Sequence, residues 1–265
     1  MKRIKAILLL LPILVACGCI DYESGVAFNK DLTGKATFKM TMDLAPFVTS
    51  MTGAMAARGG GPPPDEMTSM LKSQLATQMG SGMIDVEQLK KNLPAGVTLA
   101  DSSQKLDDLK IIMNFAFAFT DATKLPLIEL PAPQLAGAGA MAANMASNPL
   151  KPFDSFVFTS DDTTMTITEK AKPDATPTAD AAAAKAAAQS TMTQAKAQLD
   201  QLGMGDILKN LSIRLAMRFD VPQTVIEQNA TRKEGNAYIW EVKIDNVESF
   251  DKIPELPGVK LKFKK

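Results

Sequence analysis

The chain has 265 residues, 46% of them hydrophobic, enough to bury a sizeable core. Lys+Arg and Asp+Glu balance at 29 each, which leaves no strongly basic face and excludes nucleic acid as the expected partner. Histidine is absent and the two cysteines are Cys17 and Cys19, so the commonest general base, the commonest metal ligand and a disulfide framework are all missing.

The first element is a targeting segment. Lys2, Arg3 and Lys5 are followed by an apolar run from Ala6 to Val15, too short to span a bilayer as a helix. Leu14-Val15-Ala16-Cys17 closes it, with a small residue before the cysteine. These four residues resemble the lipobox of bacterial lipoproteins. The resemblance implies that residues 1–16 are a signal peptide and that Cys17 is the lipidation site, carrying diacylglycerol and an acylated (palmitate-type) amine. Loss of the three basic residues would leave the mature chain at −3. Gly18, where aspartate would retain a lipoprotein at the inner membrane, implies the outer membrane. Residues 17–24 read as a short tether reaching under about 30 Å, so the domain is expected close to the bilayer. Cys19 then has no intrachain disulfide partner and reads as a small tether residue.

A hairpin comes next. Gly25–Phe28 leads through a polar turn at 29–34 to Ala36, Phe38, Met40 and Met42, which alternate with Lys35, Thr37, Lys39 and Thr41. Leu44, Phe47, Val48, Met51 and Met55 recur at helical spacing over 44–57. Gly59 to Pro64 breaks the chain. A helix over 65–79 carries Met67, Met70, Leu71, Leu75 and Met79 on one stripe. Asp85 and Gln88 stand at capping-box spacing before Val86, Leu89 and Leu93.

Leu109 to Phe119 then alternate as a long strand. Asp121 caps a short turn that Pro126 ends. Residues 131–152 are Ala, Gly, Pro and Asn without periodicity and predict a flexible insertion. Phe156–Phe158 and Met165–Ile167 flank Ser160-Asp161-Asp162 as a second hairpin. A low-complexity stretch over 171–203 includes an alanine-rich helix capped by Asp180. Ile213–Phe219, Tyr238–Ile244 and Leu261–Phe263 alternate as strands.

Strands joined by short polar turns, with helices between strand groups, predict an α+β fold. The expected architecture is an antiparallel β-sheet with helices packed on one face, in a single domain over 25–265 with insertions near 59–64, 131–152 and 171–203. The run Phe28–Lys35, the segment Val221–Ala230 and Gly235–Trp240, behind a lipidated cysteine close to a strand, resemble bacterial lipoproteins of the LppM-like kind. That resemblance implies a compact α+β domain behind the anchor and a link to envelope lipids.

Several patterns imitate active chemistry. Eight methionines fall between Met40 and Met83, and the pairs Met51/Met55, Met67/Met70 and Met79/Met83 have spacings that thioether ligation of Cu(I) could use. An apolar core or a pliable groove explains them with fewer assumptions. Ser102-x-x-Lys105 lies between strand-like stretches, without the helix start that acylation chemistry needs. Gly137–Ala142 imitates a dinucleotide loop, but prolines stand where its strand should be. Asp107-Asp108 and Asp161-Asp162 read as turns, since neighbours in a strand face opposite ways. The lysines at 260, 262, 264 and 265 read as gatekeepers of an edge strand, or as headgroup contacts.

These readings leave no catalytic residue, no cofactor and no metal site. The chain is expected not to be an enzyme. The leading expectation is an outer-membrane-anchored lipoprotein acting as a membrane-proximal binding or structural module for lipid or another apolar ligand, with the Met-rich helices 44–57 and 65–79 as its apolar surface. A scaffold for envelope protein partners is the alternative; copper binding and an unrecognised hydrolase are distant ones.

Overall fold

The structure is a computed structural model that describes residues 19–46, 48–49, 52–53, 63–79, 83–131, 150–170, 200, 212–245 and 258–265. The first hairpin pairs β1 (Cys19–Phe28) with β2 (Gly34–Asp43). Its turn closes through Asn29 N–H to Thr33 O (2.7 Å) and Leu32 N–H to Asn29 O (3.1 Å). The Asp31 carboxylate accepts from both the amide and the hydroxyl of Thr33. Glycine is needed at 34 because a Cβ there would stand 2.1 Å from the Ala27 carbonyl oxygen. Residues 19–24, expected in the tether, already belong to β1.

Residues 45–46, 48–49 and 52–53 are helical, within the expected helix 44–57; α1 (Pro64–Met79) and α2 (Val86–Asn92) come after them. Asp85 caps α2 as expected, accepting from the amides of Glu87 and Gln88. Then come β3 (Val97–Asp107), β4 (Lys110–Phe119) and a 3₁₀ turn over Ala122–Leu127 capped by Asp121. The second hairpin is β5 (Phe156–Ser160) with β6 (Thr164–Glu169). The C-terminal region supplies β7 (Ser212–Asp220), β8 (Val225–Gln228), β9 (Arg232–Glu234), β10 (Ala237–Asp245) and β11 (Lys260–Lys264).

These strands form two sheets. The large one has seven strands in the order β3-β4-β2-β1-β7-β10-β9; the small one has four, β5-β6-β11-β8. In the large sheet β1 and β7 run parallel, with Val26 opposite Phe219; the other pairs are antiparallel. One face of the large sheet is apolar: Val26, Phe28, Ala36, Phe38, Met113, Phe115, Phe117, Phe119, Phe219 and Trp240 are all buried there. The small sheet covers the end of that face where β1 finishes. Phe28 meets Phe263 at 5.3 Å between ring centroids, and Phe219 meets Phe156 at 5.3 Å.

The α+β expectation is therefore wrong: among the described residues the chain is mostly β, with two sheets and no helical layer packed on a sheet. The alternating strands were legible and so was their buried face. What covers that face was not. The stripe on α1 suggested a helical lid, yet Met67 is buried while Met70 is 67% exposed. Instead, α1 borders the edge strand β3, where Lys72 pairs with Asp108 in the β3–β4 turn. The expected all-antiparallel sheet is corrected too, by the β1–β7 pairing.

The lysine reading changes as well. β11 lies between β6 and β8, so Lys260, Lys262 and Lys264 do not guard an edge. Lys260 instead pairs with Glu227 at 2.6 Å. The expected insertion at 131–152 and the alanine-rich helix after Asp180 fall mainly outside the described residues. Leu130 and Leu150 form a bridge that brings the ends of the first of these together.

Candidate functional site

The end of the large sheet where β1 begins is defined by register. Cys19 lies opposite Asp43, Asp43 opposite Lys110, and Ser212 opposite Asp245. Cys17, the expected lipidation site, lies outside the described residues, two positions before β1. This rim is the end of the sheet nearest the expected anchor site, its anchor end.

One residue in from the rim, cross-strand partners share the apolar face. Leu106 stands opposite Ile111, Ile111 opposite Met42, Met42 opposite Ile20, and Ile20 opposite Ile213. Ile111 is buried; Leu106, Met42, Ile20 and Ile213 are half-buried. Ile20 and Ile213 lie outside the main core cluster. One row deeper, the Tyr22 hydroxyl donates to Pro152 O at 3.3 Å, and burial pushes that phenol up to about 12. The row nearest this rim is thus apolar and partly exposed.

The opposite face of the same strands is charged. Arg214 on β7 reaches Asp21 at 2.8 Å, Glu23 at 3.3 Å and Glu241 at 2.5 Å. Burial alone would lower the Arg214 pKa, but hydrogen bonds to Glu241 and Asp21 outweigh it and raise it. The hydrogen bond from Arg214 holds the Glu241 carboxyl below its usual range. Three carboxylates converge on this arginine, whose hydrogen bond favours the ionised form of Glu241. A general acid needs the reverse.

The expected turn residues behave as turns. Asp161 accepts from the hydroxyl of Thr164 and the amides of Thr163 and Thr164, and these bonds lower its pKa. Asp108 occupies the left-handed region (φ 58°) beside its pair with Lys72. Ser102 lies opposite Phe115 on the apolar side and Lys105 opposite Ile112 on the other, so the Ser-x-x-Lys spacing brings no hydroxyl to an amine. Met67 and Met70 are separated by burial and do not share a thioether site. Met51, Met55, Phe47 and the Gly137–Ala142 loop fall outside the described residues, and Met79 is the last residue of α1.

Two features escaped the sequence reading. An open cleft of about 450 Å³ is lined by Val225, Ile226, Glu227, Gln228, Lys233 and Tyr238 where the edges of the two sheets approach. Lys233 Nζ sits 4.9 Å from the Tyr238 ring centre, and Ile226 is 52% exposed. Asn229 joins the sheets. Its Oδ1 accepts from Trp240 Nε1 (2.9 Å) in the large sheet and from the amide of Lys260 (2.8 Å) in the small one, while its Nδ2 donates to Gly258 O (2.6 Å).

Among the described residues no group of three or more His, Cys, Asp or Glu side chains is placed to hold a metal ion, and no helix is long and apolar enough to cross a membrane. No family model matches the chain, and no curated protein matches it in sequence. A search of solved structures finds a likeness to the folded domain of the Mycobacterium tuberculosis LppM protein. It covers 93% of this chain and 91% of that one, at 10% identity and a TM-score of 0.37. At that distance neither a role nor a residue transfers from one chain to the other.

Proposed function

We propose that the protein is a lipoprotein of the bacterial envelope, anchored through lipid on Cys17, and that its β domain is a membrane-proximal binding or structural module. The observation that carries this is the lipobox Leu14-Val15-Ala16-Cys17 with the first core strand starting at Cys19. A single acyl chain holds a protein only marginally and two or more hold it firmly, at about 0.8 kcal/mol per buried CH₂. Gly18 favours the outer membrane, which density-gradient fractionation of membranes tests directly.

Intact-mass measurement decides the anchor. The native protein should lack residues 1–16 and carry acyl mass, and Cys17→Ser should show neither change. A Cys17→Ser protein still cleaved and lipidated would overturn the reading.

The ligand class is lipid or another apolar molecule. Its support is the half-buried row at the anchor end and the exposed thioether of Met70 on α1. Mass spectrometry of lipid retained by a soluble form beginning at Gly18 tests it; a preparation free of bound apolar molecules argues for a purely structural role. A non-catalytic role is supported by the missing histidine and by the direction of the carboxyl shifts: Asp31, Asp161 and Glu241 are all held low.

A further inference from the structure

We infer that the apolar row at the anchor end is a membrane-contact surface, through which the domain stands on its own bilayer with the small sheet held away from it. The inference rests on the lipid-anchor reading and adds an orientation and a contact surface to it. Three observations converge on it.

The first is reach. Only Cys17 and Gly18 separate the acylated atom from Cys19, the first residue of β1. Two extended residues span about 7 Å, so the rim carrying Cys19, Asp43, Lys110 and Ser212 cannot leave the headgroup layer while the acyl chains stay inserted.

The second is the chemistry of the surface so placed. Leu106, Met42, Ile20 and Ile213 lie in register one residue behind that rim and are half-buried; Leu106 and Met42 pack inward against the core with part of their surface open, while Ile20 and Ile213 lie outside it. Apolar side chains at this level suit the boundary between headgroups and acyl chains, roughly 5–10 Å deep. The third is charge. Lys110 at the rim pairs with Asp43 at 3.5 Å and Lys72 with Asp108, and Asp107 and Asp245 stand at the same level, so the described rim offers no surplus of positive charge to anionic headgroups. The contact is therefore apolar and does not weaken when salt is raised. The aromatic junction with the small sheet lies at the far end of β1, about 30 Å along the strand.

The test uses full-length lipidated protein in phosphatidylcholine–phosphatidylglycerol vesicles containing brominated lipid. In a Cys19→Ser background, an environment-sensitive fluorophore is placed by Met42→Cys or Ile213→Cys at the anchor end, and by Lys30→Cys or Thr224→Cys at the far end. The expected result is strong quenching at 42 and 213 and little at 30 and 224, unchanged in high salt. Hydrogen exchange on the unlabelled protein, with and without vesicles, checks the same contrast without substitutions: the starts of β1 and β7 should gain protection and the turn at 29–33 should not. If the protein floats with the vesicles but both ends behave alike, the docking surface is wrong while the anchor stands. Protein that fails to float overturns the anchor, and the docking surface with it.

Discussion

The two ends of the large sheet use the same strands for different purposes. At the far end, Phe219 packs edge-on against Trp240 at 5.8 Å, Phe156 at 5.3 Å and Phe158 at 6.5 Å between centroids, closing a two-sheet core. At the anchor end Leu106, Met42, Ile20 and Ile213 are non-aromatic and half-buried, around a buried Ile111. Aromatic side chains bury large areas and tolerate little change. Loosely covered aliphatic ones contribute little to folding and remain available for contact. The comparison separates a part that holds the fold together from a part that meets its surroundings.

Breaking the far end should give the largest effect. Trp240 is fully buried, and Trp240→Ala should cost about 3–5 kcal/mol, read as a fall in the denaturant midpoint. Arg214→Ala comes next. It leaves Asp21 and Glu23 without their cation and Glu241 with Arg232 at 3.8 Å, at about 1–3 kcal/mol for a site still partly open to solvent. This loss depends on pH. Because the hydrogen bond from Arg214 lowers the Glu241 pKa, the stabilisation is complete above the unfolded carboxyl value of about 4.3 and disappears as pH falls through the folded one. The difference in Tm between native protein and Arg214→Ala should thus be full at neutral pH and narrow in acid; a difference that stays constant in acid would point to packing instead of charge.

Asn229→Ala should cost about 1–2 kcal/mol through three lost hydrogen bonds, one to Trp240 in the large sheet and two to Gly258 and Lys260 at the start of β11. Its signature is loosening of β11, seen as faster amide exchange there. Met70→Ser marks the other extreme. With that side chain 67% exposed, stability should change by less than about 0.5 kcal/mol. Reduced retention of apolar molecules with unchanged Tm would assign the exposed thioether to contact.

Much of the strand content could be read from period-two alternation. β2, β4, β7 and β10 fall where Ala36–Met42, Leu109–Phe119, Ile213–Phe219 and Tyr238–Ile244 alternate. Local caps and turns were equally legible, because Asp85, Asp121 and Asp161 act on residues two or three positions away. The architecture was not legible, since alternation reveals that a face is buried without revealing what buries it. Here the cover is assembled from remote pieces of chain: β5–β6, β8 and β11 at one end, and residues such as Leu44, Val48, Met83, Leu89, Leu125 and Leu130 elsewhere. The α1 stripe misled for a related reason: a helix bordering an edge strand needs one apolar flank, as a helix lying on a sheet does. Gln104 offered a missed hint. A polar residue at an apolar-face position of β3 holds the Ile84 backbone by both its oxygen (2.8 Å) and its nitrogen (2.9 Å), which ties the segment before α2 to the sheet margin.

The parallel pairing of β1 with β7 has a consequence in time. Ile20 and Ile213 must meet although 193 residues separate them in the sequence. Closing so long a loop is entropically costly, and topologies built on such pairings fold slowly. β1 and β2 can form their hairpin early, but the other flank of β1 stays an open edge until almost the whole chain has been delivered. An open edge beside apolar side chains is an invitation to pair with the wrong chain. A lipid anchor two residues upstream would hold that unfinished edge at a surface, away from its copies in bulk solution, while the remainder of the chain arrives.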